Sequence, residues 1–222
     1  MTTIIGKWNP KGIKEVLLSF PLYIVTHPFK GFDDMKYLKR GDMRYAFTIL
    51  VLAGIVAILE QAYTGFIVSG FWQATPFVNV PFVLIFTYSP IILFCVANWS
   101  VTTITDGKGS LREIFLTYTY AMFPMVICTA IGIVLSNIVT GNEAAFANFF
   151  FVFGMLLQYA YLFVGLLMIH EYTFLKAILM VILTVLAMLI ITFVFALFFS
   201  LASNVVDFFY IVIDELSAHW LG

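Results

Sequence analysis

Apolar residues in this chain come in long stretches, not in the short periodic stripes of a water-soluble protein. They run from Ala46 to about Val68, Val83 to Thr105, Ile114 to Ser136, Asn148 to Ile169, and Ala177 to about Ala202. Each is close to the roughly 20 residues that a helix needs to cross about 30 Å of hydrocarbon. Between them lie Gly, Asn, Asp and Pro, which punctuate turns. Pro90 and Pro124 fall inside the second and third stretches. A membrane helix tolerates this when its neighbours satisfy the freed carbonyls, and kinks are expected there. The pattern predicts an all-α polytopic membrane bundle of five transmembrane helices.

Both ends read differently. The apolar run Val16–Val25 is broken by Pro21 and is followed by Lys30 and Asp33. It is too short to span and has no small-residue cleavage site after it, so a secretory signal peptide is not expected. With Ile13, Val16, Leu17 and Phe20 on one face, it reads as a short interfacial helix. In the tail, Val205, Phe208, Phe209, Val212 and Leu216 share one side, while Asp207, Asp214 and Glu215 project elsewhere. A sixth span would carry three carboxylates through lipid at about 2.5–3.5 kcal/mol each near its centre. An amphipathic interfacial tail avoids that. The expected organisation is a cytoplasmic segment over residues 1–45, a membrane domain over 46–202 and an external tail over 203–222. No repeat of 20–50 residues and no pair of matched broken helices is visible.

Composition agrees. Hydrophobic residues make up 63% of the 222 and charged residues 10%, against about 25% charged in soluble domains. Lipid must therefore be the solvent for most of the surface. Charge placement sets the orientation. Lys7, Lys11, Lys14, Lys30, Lys36, Lys39, Arg40 and Arg44 precede the first span. Lys108 and Arg112 lie in the second connection, and Lys176 lies in the fourth. The first and third connections and the tail have no Lys or Arg. Strict alternation places the N-terminus in the cytoplasm and the C-terminus outside, in a multi-pass protein of the cell membrane. The basic residues just before the first span can also gain about 1 kcal/mol each from anionic lipid headgroups. Asp33, Asp34 and Asp42 interleave them, which argues against nucleic acid as a partner.

Few residues carry chemistry. Cys95 and Cys128 lie inside apolar runs and read as small hydrophobes. No Walker loop, nucleophile elbow, metal-ligand spacing or cofactor fingerprint is present, so no cofactor, metal or catalytic residue is assigned. Glu60 is either a carboxylate inside the membrane, where such groups default to function, or a group at the outer interface of a helix that starts at Met43. Asn98, Thr102, Thr105 and Asp106 share one helix face. That face makes interhelical hydrogen bonds or lines a polar vestibule. Asp106, Lys108, Arg112, His170 and Glu171 gather on the cytoplasmic side, and His27, Lys30, Asp33 and Asp34 form a candidate docking segment there.

Several of these stretches together resemble the Yip family of polytopic membrane proteins, specifically its bacterial branch. The resemblance is carried by His27-Pro-Phe-Lys-Gly-Phe-Asp-Asp34, Asn98-Trp-Ser-Val-Thr-Thr, Asp106-Gly-Lys-Gly109, Tyr120-Ala-Met-Phe-Pro124, Leu135-Ser-Asn137 and His170-Glu-Tyr-Thr173. It implies five spans with a cytoplasmic N-terminus. The eukaryotic relatives act in vesicle trafficking and bind small GTPases through cytoplasmic regions. That region is only about 45 residues here, and small-GTPase binding is not carried over. The leading expectation is a non-enzymatic scaffold or adaptor that binds membrane-protein partners, a second copy or lipids. The alternative is a transporter or permease component for a small or lipidic solute, using Glu60 and the Asn98–Asp106 stripe. A weaker third option is an intramembrane enzyme centred on His170 and Glu171.

Overall fold

The computed structural model describes residues 20–69 and 77–221. Two short helices come first, α1 (Phe20–Thr26) and α2 (Pro28–Tyr37). The long helices are α3 (Met43–Tyr63), α5 (Val80–Ile104), α6 (Leu111–Ser136), α7 (Ala144–His170) and α8 (Phe174–Leu221), with a single turn, α4 (Phe66–Ser69), after α3. No strand occurs among the described residues. Five helices are long and apolar enough to cross a membrane. They match the five expected spans, with ends that differ by a few residues except at the end of the fifth.

The shifted ends have local causes. Asp42 accepts the Arg44 N–H at 3.2 Å and starts α3 at Met43, so Glu60 sits three residues from that helix's end. Ser110 and Glu113 form a reciprocal capping box that starts α6 at Leu111. Asn79 caps α5 through the Phe82 N–H, with Pro81 in the first turn. At the opposite end of α6, the Asn137 side-chain amide donates to the Tyr63 carbonyl at 2.7 Å. The Gly65 N–H donates to the Ser136 hydroxyl at 2.9 Å. These two residues tie the far ends of α3 and α6 together.

α6 is the axis of the bundle, and α7 packs along its length, with α3 and α5 on its flanks. Lipid supplies no hydrophobic drive between helices, so close backbone approach must do that work. Gly154 faces Cys128, and Gly165 faces Thr117 and Phe32. α1 and α2 do not simply lie on the bundle's edge. Phe20, Ile24, Phe32 and Met35 are buried in the same core as Tyr120, Leu162 and Ile169. The Phe20 ring meets Tyr120 edge-on at 5.5 Å, and the Tyr161 hydroxyl donates to the Val25 carbonyl at 2.5 Å. Of the expected interfacial face, Phe20 is thus core, and Ile13, Val16 and Leu17 lie outside the described residues. The sequence reading contained no counterpart to α2.

α8 is the other departure. It is one helix of 48 residues, about 72 Å long at 1.5 Å per residue. Residues 203–221 continue it without a break, where the sequence reading ended the fifth span near Ala202. No Gly or Pro interrupts it, and Ser203-Asn204 alone is too weak a signal to stop a helix.

Gly165 gives the first test. A methyl group there collides with the Thr117 methyl and comes within 3.1 Å of the Phe32 ring. Gly165→Ala is expected to destabilise the protein by about 1–3 kcal/mol, read as a lowered unfolding midpoint in detergent, whereas Gly141→Ala, with open space around it, leaves it unchanged.

Candidate functional site

Two places concentrate polar groups, a knot at the end of the bundle where the basic residues gather and a hollow near the other end of α3. The knot is built on the way α7 stops. Glu171 adopts φ 56° and ψ 41°, the left-handed conformation that closes helices, and the Tyr172 N–H turns back to the Leu167 carbonyl at 3.1 Å. This reversal sends His170 inward, where it is 2% exposed, and Glu171 outward.

Inward, the hydrogen bonds run in one direction. The Gly109 N–H donates to His170 Nδ1 at 3.1 Å. The ring's proton is therefore on Nε2, which donates to the Asn98 side-chain oxygen at 3.2 Å. The Asn98 amide donates to the Thr184 hydroxyl at 3.0 Å, and that hydroxyl donates to the Met180 carbonyl at 2.7 Å. One chain of donors thus joins the 106–109 loop to α7, α5 and α8. The loop fits because Asp106 takes φ 57°, the Gly107 N–H returns to the Thr102 carbonyl at 2.8 Å, and Gly109 lies flat on the imidazole. A Cβ at Gly109 would stand 2.7 Å from His170 Cε1. The Tyr172 ring stacks on the other side of His170 at 5.1 Å, and the Lys176 ammonium sits over Tyr172.

Outward, Glu171 is a hub. Its Oε1 accepts from Lys36 Nζ at 2.6 Å and from the Tyr37 hydroxyl at 2.5 Å, and its Oε2 accepts from Lys108. These bonds, Lys108's first, hold its carboxyl at about 2, well below the usual range. The bond to Glu171 also raises the Tyr37 phenol and the Lys108 ammonium. α2, the 106–109 loop and the α7 turn are thereby fastened together.

The structure thus brings Asn98, Asp106, Lys108, His170 and Glu171 into one neighbourhood. Asn98 and Thr102 are each 1% exposed, so this part of the polar stripe faces packed protein, while Thr105 is half-buried and Asp106 exposed. His170 and Glu171 address different partners and do not converge on a common point. Asp34 pairs with Arg40 at 3.3 Å. His27 bonds to the Thr26 hydroxyl and stacks on Tyr23. Lys30, Asp33 and Arg112 make no ion pair among the described residues. Sequence reasoning missed Gly109, Thr184, Lys36 and Tyr37. Only the two glycines around Lys108 signalled a loop that needs close approach.

The hollow lies among α3, α5, α6 and α7. It has a volume of about 290 Å³ and is lined by Glu60, Thr129, Tyr118, Gln158 and Tyr159 together with apolar side chains. The Glu60 carboxylate has no hydrogen bond or ion pair among the described residues. Pro90, Tyr118 and Tyr159 also line an apolar groove of about 410 Å³ between α5, α6, α7 and α8.

Five apolar helices tied together by buried polar contacts define a multi-pass helical membrane protein. Residues 22–206 match the family model of the Yip1 domain, from α1 well into α8, and the chain belongs to that family. Comparisons with curated proteins and with solved structures give no match.

Two outcomes are expected. Asn98→Leu leaves the His170 Nε2–H buried without an acceptor and should lower stability by about 1–3 kcal/mol, measured by thermal unfolding in detergent. Glu171 gives an acid dependence. Its carboxyl is lowered in the folded protein, so as pH falls the unfolded chain takes up this proton first. Its stabilisation is complete above 4.5, the group's ordinary value, and is lost towards about 2. The unfolding midpoint should fall across that window, and Glu171→Gln should start lower and flatten the fall.

Proposed function

We propose that this chain is a non-enzymatic scaffold or adaptor of the Yip type in the cell membrane, from the bacterial branch of the family. Its basic end faces the cytoplasm, where it docks a membrane-protein partner or a second copy, and lipid surrounds its spans. The observation that carries this reading is the convergence of two distant segments, α2 and the 106–109 loop, on Glu171. Fastening α2 to both basic connections makes one preorganised charged surface out of pieces too short to hold a shape alone. Preorganisation lowers the ordering cost of docking. Lys30 and Arg112 are exposed and carry no ion pair among the described residues, so they are available to a partner of opposite charge.

The reading is tested by crosslinking the full chain in membranes and identifying the partner captured. Lys30→Glu with Arg112→Glu should reduce capture of the same partner about tenfold and leave the unfolding midpoint unchanged. Undiminished capture by this double variant would remove the docking face. A reporter active only outside the cytoplasm, fused behind Gly222, tests the orientation and should be active. A second reading, a transporter component for a small or lipidic solute, draws support from the hollow beside Glu60. Against it stands the close packing around Asn98 and Thr102, each 1% exposed.

A further inference from the structure

We propose that the hollow beside Glu60 and the apolar groove that shares Pro90, Tyr118 and Tyr159 with it form one binding site, for an amphiphile with an ammonium head and a single hydrocarbon chain. The space originates in the packing. Asn98 and His170 pin α5 to α7 at one end, and elsewhere these two helices are kept apart. α8 leans mainly on α5, so the gap continues as a groove between α7 and α8.

The two compartments differ in chemistry. The hollow holds the Glu60 carboxylate, within the span Met43–Tyr63 and without a partner among the described residues. A carboxylate in such surroundings is costly unless a donor or cation meets it. Beside it lie the Gln158 amide, 6% exposed, and the Thr129 hydroxyl, 3% exposed. The Tyr118 and Tyr159 rings stand where hollow and groove meet, and aromatic faces attract an ammonium group. The groove carries no charge. Its lining includes Phe94, Leu162, Leu166, Val181 and Met188, and beyond the two tyrosines its one hydroxyl, on Thr192, is turned back to the Met188 carbonyl at 2.8 Å. At its rim Val185 and Leu189 are exposed, which opens it sideways to the bilayer. The two volumes are of the size of ordinary small-molecule sites, about 300–1,000 Å³. One polar end with a carboxylate and one apolar end open to lipid fit one cationic head and one tail. An anionic lipid would set like charges together at Glu60, and a water-soluble cation would leave the groove unfilled.

The test uses the purified full chain in phosphatidylcholine nanodiscs doped with octadecylamine or octadecanol, and native mass spectrometry counts the amphiphile retained. The wild type should retain the amine about tenfold better than the alcohol, the change one modest charge–charge contact supplies. Glu60→Gln should abolish that preference. Val185→Trp, which fills the groove, should reduce retention of both, and Arg112→Glu should change neither. Equal retention of amine and alcohol by the wild type, or an unaltered preference in Glu60→Gln, overturns the proposal. A diazirine placed next to the amine supplies a readout that needs no variant. Crosslinks to Met125, Met155 or Tyr159 are expected, and crosslinks confined to the lipid-facing side of α8 overturn it. Because the docking variants lie outside this cavity, either reading can fail while the other stands.

Discussion

The bond between His170 and Asn98 is the constraint on which the rest of this bundle depends. Helices in lipid gain nothing from burying leucine against leucine that lipid tails do not already supply. What distinguishes one arrangement from another is close backbone approach and the satisfaction of polar side chains. Here a single imidazole receives from a loop and gives to a helix, and the recipient passes the bond to a third element. Each member has one acceptor and one donor in use, so the directions are mutually enforced. The glycines at 107 and 109 exist for the same reason, since a side chain at either would push the loop off the ring.

Glu171 continues this logic at the water-facing side. The left-handed turn that ends α7 separates two adjacent residues into opposite tasks, a neutral ring in the interior and a carboxylate toward lysines. Exposed ion pairs contribute little by themselves, but three donors on one carboxylate form a network whose value lies in position. It fixes α2, a helix of 10 residues that would be marginal in isolation, against connections of only a few residues each.

Much of the architecture was legible in the sequence, because hydrocarbon thickness writes directly into run length. Five stretches near 20 residues became five helices, although the Ser110–Glu113 pair that starts α6 at Leu111 was not used and the third stretch was begun at Ile114. The candidate residues were legible as a group: Asn98, Asp106, Lys108, His170 and Glu171 stood out as polar in an apolar chain, and they meet. Their pairing was not legible. Nothing in sequence spacing says that Asn98 faces Thr184, 86 residues away, or that Lys36 reaches Glu171 across 135. α2 had no counterpart in the sequence reading, although Pro28 suits a first turn and Gly31 allows the tight approach to Ile24. The hollow at Glu60 was beyond reach, since empty space depends on how far helices splay and leaves no mark on composition. The continuity of α8 past Ala202 was not foreseen, because the cost of the three tail carboxylates was weighed and the absence of any Gly or Pro was not.

The way α8 is attached has a consequence for how the molecule is made. Among the described helices it comes last in chain order, and the side-chain hydrogen bonds that tie it to α5 come at Met180 and Thr184, early in its length. By then the imidazole, the amide and the glycine loop have already been synthesised. This helix therefore acts as a latch onto the four spans that precede it, with Asn98 holding a donor for it. Until that hydroxyl docks, the nascent protein carries one amide donor without the acceptor that the folded bundle gives it.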